Sequence, residues 1–236
     1  MPYDAVFFDV GNTLLRPEPS VGHVCARVLL EAGYDHSIEA IDALLPLVDD
    51  YYEDRYGDDD TFWTSDAGAA DVWVGMYSLL CRRLEIPESE APVLARAVYD
   101  EFGNPERWRP YADVVPAFGR LRAAGVKVGI VSNWDTRLER ILIGLGLGGL
   151  VETIVCSAVE GLRKPDPRIF ELACARVEVL PERSAHVGDH MYADVIGARA
   201  AGMKPVLIDR HGYAAGPIRG GVVRITTLDR LEEALS

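Results

Sequence analysis

Ala5-Val6-Phe7-Phe8-Asp9-Val10-Gly11-Asn12 opens with four apolar residues in a row, then a carboxylate, and ends in a glycine and an asparagine. A continuous apolar run this short reads as a strand buried on both faces of a parallel sheet, with Gly11-Asn12 as the loop it enters. Beyond Pro110 the chain carries the alternation that such a sheet requires. Asp113 is placed to cap a helix that Gly125 closes, and residues 127–132 follow as a strand. Leu138, Ile141, Leu142 and Leu145 form a helix face before a strand over 151–156. Asp166-Pro167 pairs an N-cap with a proline at the first helical position, opening a helix to about Arg176. Strands over 185–188 and 205–208 flank a helix that ends at Gly202, and Leu228, Leu231 and Leu235 mark a terminal helix. The class is α/β, with a Rossmann-like doubly wound parallel sheet.

Between these parts the pattern is helical throughout. Val21, Val24, Cys25, Val28 and Leu29 recur at helical spacing, as do Ile38, Ile41, Leu45, Val48 and Tyr52. Val72, Met76, Leu79 and Leu80 suggest a third helix, and Leu94, Val98 and Phe102 a fourth. The expected organisation is therefore a core of residues 1–17 and 108–236 with an all-helical insertion over 18–107.

The 236 residues carry 24 Lys+Arg against 37 Asp+Glu, a formal net charge of −13. That balance argues against nucleic acid as a partner, because binding a phosphate backbone needs clustered positive charge. Four dispersed cysteines without a C-x-x-C pair read as small buried hydrophobes. The N-terminus lacks a basic leader, and no stretch approaches the ~18 apolar residues of a membrane span. A cytoplasmic protein without membrane contact is expected. Gly144-x-Gly146-x-x-Gly149 matches a dinucleotide fingerprint, but it follows a helix and precedes a strand, so it reads as a helix stop. Asp49, Asp50, Glu53, Asp54, Asp58, Asp59 and Asp60 lack calcium-loop spacing and read as a solvated turn.

Ligands of doubly wound sheets sit outside the carboxyl ends of the strands. Those ends carry, in order, Asp9, then Ser132-Asn133, then Lys164 after a loop, then Asp189 with Asp194. A carboxylate, a hydroxyl, an amine and an acidic pair would thus converge on one rim.

Phe7-Phe8-Asp9-Val10-Gly11-Asn12-Thr13-Leu14, Ile130-Val131-Ser132-Asn133, Arg163-Lys164-Pro165-Asp166-Pro167 and Gly188-Asp189-His190-Met191-Tyr192-Ala193-Asp194 occur in one order along the chain. In these segments the sequence resembles the haloacid dehalogenase-like hydrolase superfamily, and the helical insertion looks like its small cap domain. Residues 131–137 and 186–189 are similar to the branch that includes the Reg-2-like proteins. The resemblance implies that Asp9 is a nucleophile forming an aspartyl-phosphate, with Lys164 supplying positive charge. It implies Mg²⁺ held by Asp9, the Gly11 carbonyl and Asp189, with Asp194 orienting metal waters or Lys164. Ser132 and the neighbouring backbone N–H, at Asn133, would hydrogen-bond the transferring phosphoryl group.

Gly11 departs from the phosphatase pattern, which places a second Asp there as general acid and base. His190 is a candidate replacement because imidazole titrates near neutrality, and Asp135 is another. Trp134 is expected to pack at the seam between core and insertion. Three readings follow. The first is a Mg²⁺-dependent phosphatase acting on a small phosphomonoester or acyl phosphate. The second is a 2-haloacid dehalogenase working through an aspartyl ester, which Gly11 favours and the acidic pair opposes. The third is a ligand-binding protein with impaired catalysis. Phosphonate cleavage would need a lysine in the insertion, and the three lysines, Lys127, Lys164 and Lys204, all lie outside it.

Overall fold

The computed structural model describes residues 2–212 and 222–236. In chain order the elements are β1 (Ala5–Phe8), β2 (Leu15–Pro17), α1 (Val21–Glu31), α2 (Ile38–Asp42), α3 (Leu45–Asp58), α4 (Asp66–Arg83), α5 (Ala91–Glu101) and β3 (Trp108–Pro110). They continue with α6 (Val114–Ala123), β4 (Lys127–Ser132), α7 (Leu138–Gly144), β5 (Thr153–Cys156), α8 (Ser157–Glu160), α9 (Pro167–Arg176) and β6 (Ser184–Gly188). A π turn (Met191–Ile196), α10 (Gly197–Ala200), β7 (Lys204–Ile208), β8 (Val223–Ile225) and α11 (Leu231–Ala234) complete the chain.

β1 sits inside a six-stranded sheet of order β5-β4-β1-β6-β7-β8, parallel throughout. Period-two alternation splits its side chains between two cores. Val6 and Phe8 pack with Val128, Ile130 and Val187 under α6, α7 and α11. Ala5 and Phe7 face the other way, towards Ile169 and Phe170 of α9 and Ala198 of α10. Gly129 belongs to that second face. A Cβ there would come within 2.6 Å of the Phe7 ring, so the bare backbone of β4 lets the ring lie against it.

The helical elements between β2 and β3 have an apolar core of their own, built from Val24, Cys25 and Leu29 of α1, Met76 and Leu80 of α4, and Leu94 and Val98 of α5. β2 and β3 pair antiparallel, with Leu15 opposite Pro110 and Pro17 opposite Trp108, and carry the chain into and out of this layer. Neither strand is visible in the sequence pattern, since three residues ending in proline offer no period to read. Trp108 rests against the sheet core and the helical core alike.

The structure corrects three expectations. The apolar repeat from Ile38 to Tyr52 belongs to two helices, α2 and α3, because Pro46 in the first turn of α3 has no N–H to continue the preceding helix. Asp49, Asp50, Glu53, Asp54 and Asp58 lie on the exposed face of α3 and not in a turn. Asp59 follows as a cap, accepting the Thr61 amide at 2.8 Å. Asp113 stands at the start of α6 but makes no capping bond there. Its carboxylate instead accepts Arg210 Nη1 at 2.7 Å, Thr227 Oγ1 at 2.7 Å and the Leu228 amide at 2.8 Å.

Other expectations hold. Gly146, at φ 74°, closes α7 with its N–H on the Ile143 carbonyl, while the Leu147 N–H reaches back to Leu142. Asp166 caps α9 through the Arg168 amide at 3.0 Å. All four cysteines are buried and unpaired. Among the described residues no helix is long and apolar enough to cross a membrane.

The Asp113–Arg210 pair matters beyond its own surroundings. Arg210 Nη2 also donates to the Thr13 carbonyl at 2.7 Å, tying the segment after β7 to the loop that follows Asp9. Burial pushes the Asp113 carboxyl up, but the Arg210, Thr227 and Leu228 donors outweigh it and hold the group below its ordinary range. Asp113→Ala strands a buried guanidinium and is expected to cost about 3 kcal/mol. A lower urea midpoint with an unchanged m-value checks this.

Candidate active site

β4, β1 and β6 are adjacent and parallel, so the residues at their carboxyl ends share one rim. Ser132 ends β4, Asp9 follows β1 and Asp189 follows β6. Ser132 Oγ donates to Asp9 Oδ1 at 2.9 Å, and Lys164 Nζ donates to the same oxygen at 2.6 Å. Lys164 Nζ also donates to Asp194 Oδ1. Thr13 Oγ1 reaches Asp189 Oδ1 at 3.3 Å. Asn133 is brought to Lys164 and not to Asp9: its side chain accepts the Lys164 amide at 2.8 Å and donates to the Lys164 carbonyl at 3.0 Å. It fixes the backbone from which the lysine extends.

Lys164 is 2% exposed, a burial that by itself would strip the charge from an amine. Asp194 and Asp9 reverse this and hold the ammonium above its ordinary range. Asp194 is buried too, yet Lys164 and His186 keep its carboxyl well below the usual carboxylate range. Among the described residues no cation bonds Asp189, and the pull of Lys164 is the smaller effect. Burial, then the charges of Asp9 and Asp194, push it well above its ordinary value.

One ammonium thus faces three carboxylates, and one oxygen from each of Asp9, Asp189 and Asp194 lies within 4.8 Å of the other two. An all-oxygen set short of positive charge fits a hard divalent cation. The oxygens of Asp194 already accept Lys164, His186 Nε2 at 2.8 Å and the His190 amide at 2.9 Å. Among the described residues Asp9 takes both of its side-chain bonds on Oδ1, which leaves Oδ2, and Asp189 has only the weak Thr13 contact. The Gly11 carbonyl accepts the Thr13 amide at 2.6 Å and keeps a second lone pair.

The raised Asp189 value has a consequence for stability. A carboxyl whose folded pKa exceeds its unfolded one destabilises the fold as pH rises past the unfolded value, about 4. In the metal-free protein this cost grows with pH until the raised folded value is passed, so it is present at neutral pH. Asp189→Asn is therefore expected to melt above the metal-free wild type. Millimolar Mg²⁺ should raise the wild-type Tm and leave that of the variant unmoved, as scanning calorimetry would record.

His190 Nδ1 accepts the Ala193 amide at 3.0 Å, capping the turn that follows, and its ring lies 5.4 Å from that of Tyr56. Only Nε2 remains for proton transfer. Asp135 is committed elsewhere: it is buried, accepts Arg137 Nε at 2.8 Å, Arg137 Nη2 at 2.6 Å and Tyr99 Oη at 3.1 Å, and joins β4 to α5. Trp134 packs against Trp108 at 5.0 Å, and a Cβ on Gly11 would meet its ring at 3.5 Å. The space a longer side chain at position 11 would enter is thus walled by an indole.

Two contributors are absent from the sequence reading. His186, at the centre of β6, bonds Asp194; a histidine inside a fully buried parallel strand was the available signal. Tyr56 of α3 packs over His190 and, edge-on, against Tyr192. These rings, with Glu53 and Asp60, line part of a cavity of about 480 Å³. Among helical apolar positions Tyr56 gave no signal that set it apart.

Comparison with known proteins gives the family. The family model described as haloacid dehalogenase-like hydrolase matches residues 3–202. The haloacid dehalogenase-like hydrolase domain-containing protein 3 of Danio rerio is 31% identical over 220 residues, covering 89% of this chain and 86% of its own. A glyceraldehyde 3-phosphate phosphatase of Methanopyrus kandleri is 36% identical over 138 residues, 58% of this chain and 59% of that enzyme. Among solved structures, the putative HAD-hydrolase YfnB from Bacillus subtilis bound to magnesium superposes with a TM-score of 0.81 at 16% identity, covering 99% of this chain and 98% of the other.

Proposed function

Because the chain belongs to the haloacid dehalogenase-like hydrolase family, we propose that it is a Mg²⁺-dependent phosphatase of a small phosphorylated metabolite, with residues 18–107 acting as its cap. The observation that carries this reading is the Lys164 ammonium set between Asp9 and Asp194, with the uncompensated Asp189 beside them. An amine alone would neutralise one carboxylate; this rim holds three. The phosphatase name of the Methanopyrus relative supports the substrate class.

Asp9, Asp189 and the Gly11 carbonyl would hold the ion, which supplies positive charge to a phosphate oxygen and so lowers the repulsion between two anions. Asp9 Oδ attacks phosphorus, the P–O bond to the leaving group breaks, and the phosphoryl group passes to the carboxylate. Lys164 holds Asp9 Oδ1 in place and, with Ser132 Oγ, binds the phosphoryl oxygens. Water then attacks the aspartyl-phosphate, releasing phosphate and restoring Asp9. Asp194 holds Lys164 in place.

Position 11 supplies no proton to the departing oxygen. Where general acid help is missing, rates fall by about 10²–10⁴-fold for leaving groups that need protonation. Acetyl phosphate, which leaves as acetate, is expected to exceed an alkyl phosphate by at least about 10²-fold in kcat/KM. Equal values would mean that His190 Nε2 or another group fills the role.

The second reading keeps the same nucleophile. Halide departs unprotonated, so Gly11 suits a dehalogenase, whereas the uncompensated Asp189 has no use in displacing it. Assays of p-nitrophenyl phosphate, acetyl phosphate and 2-haloacids, each with Mg²⁺ or EDTA, separate the two. Phosphate release that EDTA abolishes supports the phosphatase; halide release that ignores EDTA replaces it with the dehalogenase.

A further inference from the structure

We infer that His186 is a positioning residue: its Nε2–H holds Asp194 so that Lys164 stays aimed at Asp9. The inference deepens the reading of the site given above and rests on it.

His186 is buried in β6, opposite Phe7 of β1, on the face that packs against α9. Phe170 meets its ring edge-on at 5.0 Å. Nothing about this setting calls for a polar side chain. The histidine is also imperfectly satisfied, because Nδ1 is buried without a hydrogen-bond partner among the described residues. A leucine or phenylalanine would avoid that orphan. What His186 gives in exchange is the 2.8 Å contact from Nε2 to Asp194 Oδ1.

The tautomer follows from the surroundings. With the proton on Nδ1, the Nε2 lone pair would face a carboxylate oxygen, and the Nδ1–H would have no acceptor. With the proton on Nε2, the ring donates to Asp194 and leaves one acceptor unmatched, which avoids both the lone-pair repulsion and the stranded donor.

Asp194 is held from every side by the segment 186–190. Gly188 lies so close that a Cβ there would fall 2.1 Å from the carboxylate carbon. His186 donates to Oδ1 and the His190 amide to Oδ2. The π turn Met191–Ile196 brings Asp194 back to β6, with the Asp194 and Val195 amides both on the His190 carbonyl. Lys164 Nζ shares Oδ1 with His186, so removing the imidazole frees that oxygen to rotate, and the ammonium follows it away from Asp9.

Two side chains separate this role from packing. Glutamine places an amide nitrogen near the position of Nε2, whereas leucine fills the space and donates nothing. In His186→Leu, kcat for acetyl phosphate with Mg²⁺ is expected to fall about 10–100-fold, the usual cost of losing a partner behind a reacting group. KM should stay within about threefold, and His186→Gln should recover most of kcat.

A second readout needs no turnover. The chain has three lysines, so ¹⁵N-lysine labelling gives three side-chain signals, with Lys164 assigned by its loss in Lys164→Met. The Lys164 ammonium, buried between two carboxylates, is expected to exchange its protons slowly in wild type and His186→Gln and at least about tenfold faster in His186→Leu. Equal exchange in wild type and His186→Leu overturns the inference, whatever the enzyme hydrolyses. Failure of the phosphatase reading alone would be seen as a wild type that protects Lys164 yet releases no phosphate.

Discussion

Lys164→Met is expected to abolish phosphate release and to destabilise the fold by about 3–5 kcal/mol, because two buried carboxylates lose their shared cation. The size of the effect follows from the geometry. Lys164 is almost fully buried, and its ammonium bonds Asp9 at 2.6 Å and Asp194 on the other side. Methionine fills similar space, so the loss is electrostatic and not a cavity. The pH dependence has a definite sign. Lys164 is held above its ordinary value, so its contribution is complete below an unfolded pKa of about 10.4 and is lost as pH rises through the higher folded value. Asp194 is held below its own, so its contribution is complete above about pH 4 and is lost as pH falls through the lower folded value. Wild type should therefore draw full benefit from the pair across neutral pH. The gap in unfolding free energy between wild type and Lys164→Met should narrow only towards strong acid or strong base.

Asp9→Asn is expected to reduce phosphate release by about 10⁴-fold or more, the scale on which removal of a nucleophile acts. The substitution keeps the shape of the side chain, so Ser132 Oγ and Lys164 Nζ can still reach the amide oxygen. What disappears is the anionic oxygen that attacks phosphorus. In metal-free buffer the variant should bind inorganic phosphate or a phosphate mimic at least as well as wild type, because one negative charge has left the rim. Parallel losses of binding and turnover would point to damage of the site as a whole.

How much of this was legible beforehand depends on the distance over which each feature is encoded. β1, β4 and β6 are buried; β1 and β4 leave apolar runs, and β6 leaves a short one that His186 interrupts. The residues that end them, Asp9, Ser132 and Asp189, could therefore be read together at one rim before any coordinate was known. Lys164, after a loop, and Asp194, five residues past Asp189, were read with them at the same rim. β2 and β3 left no trace, since each has three residues and their pairing depends on segments more than ninety positions apart. Asp113 carried a misleading local signal. It stands where an N-cap belongs, but Arg210 and Thr227, distant in the chain, claim its carboxylate. His186 and Asp194 are only eight residues apart, yet their contact requires the π turn, which no apolar periodicity announces. Asn133 shows the same limit at one residue. Its place at the strand end was legible, while its hydrogen bonds to the Lys164 backbone were not.

Acid quench of the enzyme during turnover of acetyl phosphate with Mg²⁺, followed by peptide mass spectrometry, tests the covalent step itself. The account predicts one phosphoryl group on Asp9, lost on treatment with hydroxylamine and absent when EDTA replaces the metal. A quenched enzyme that is releasing phosphate with Asp9 unmodified, or with the group on another residue, would contradict it.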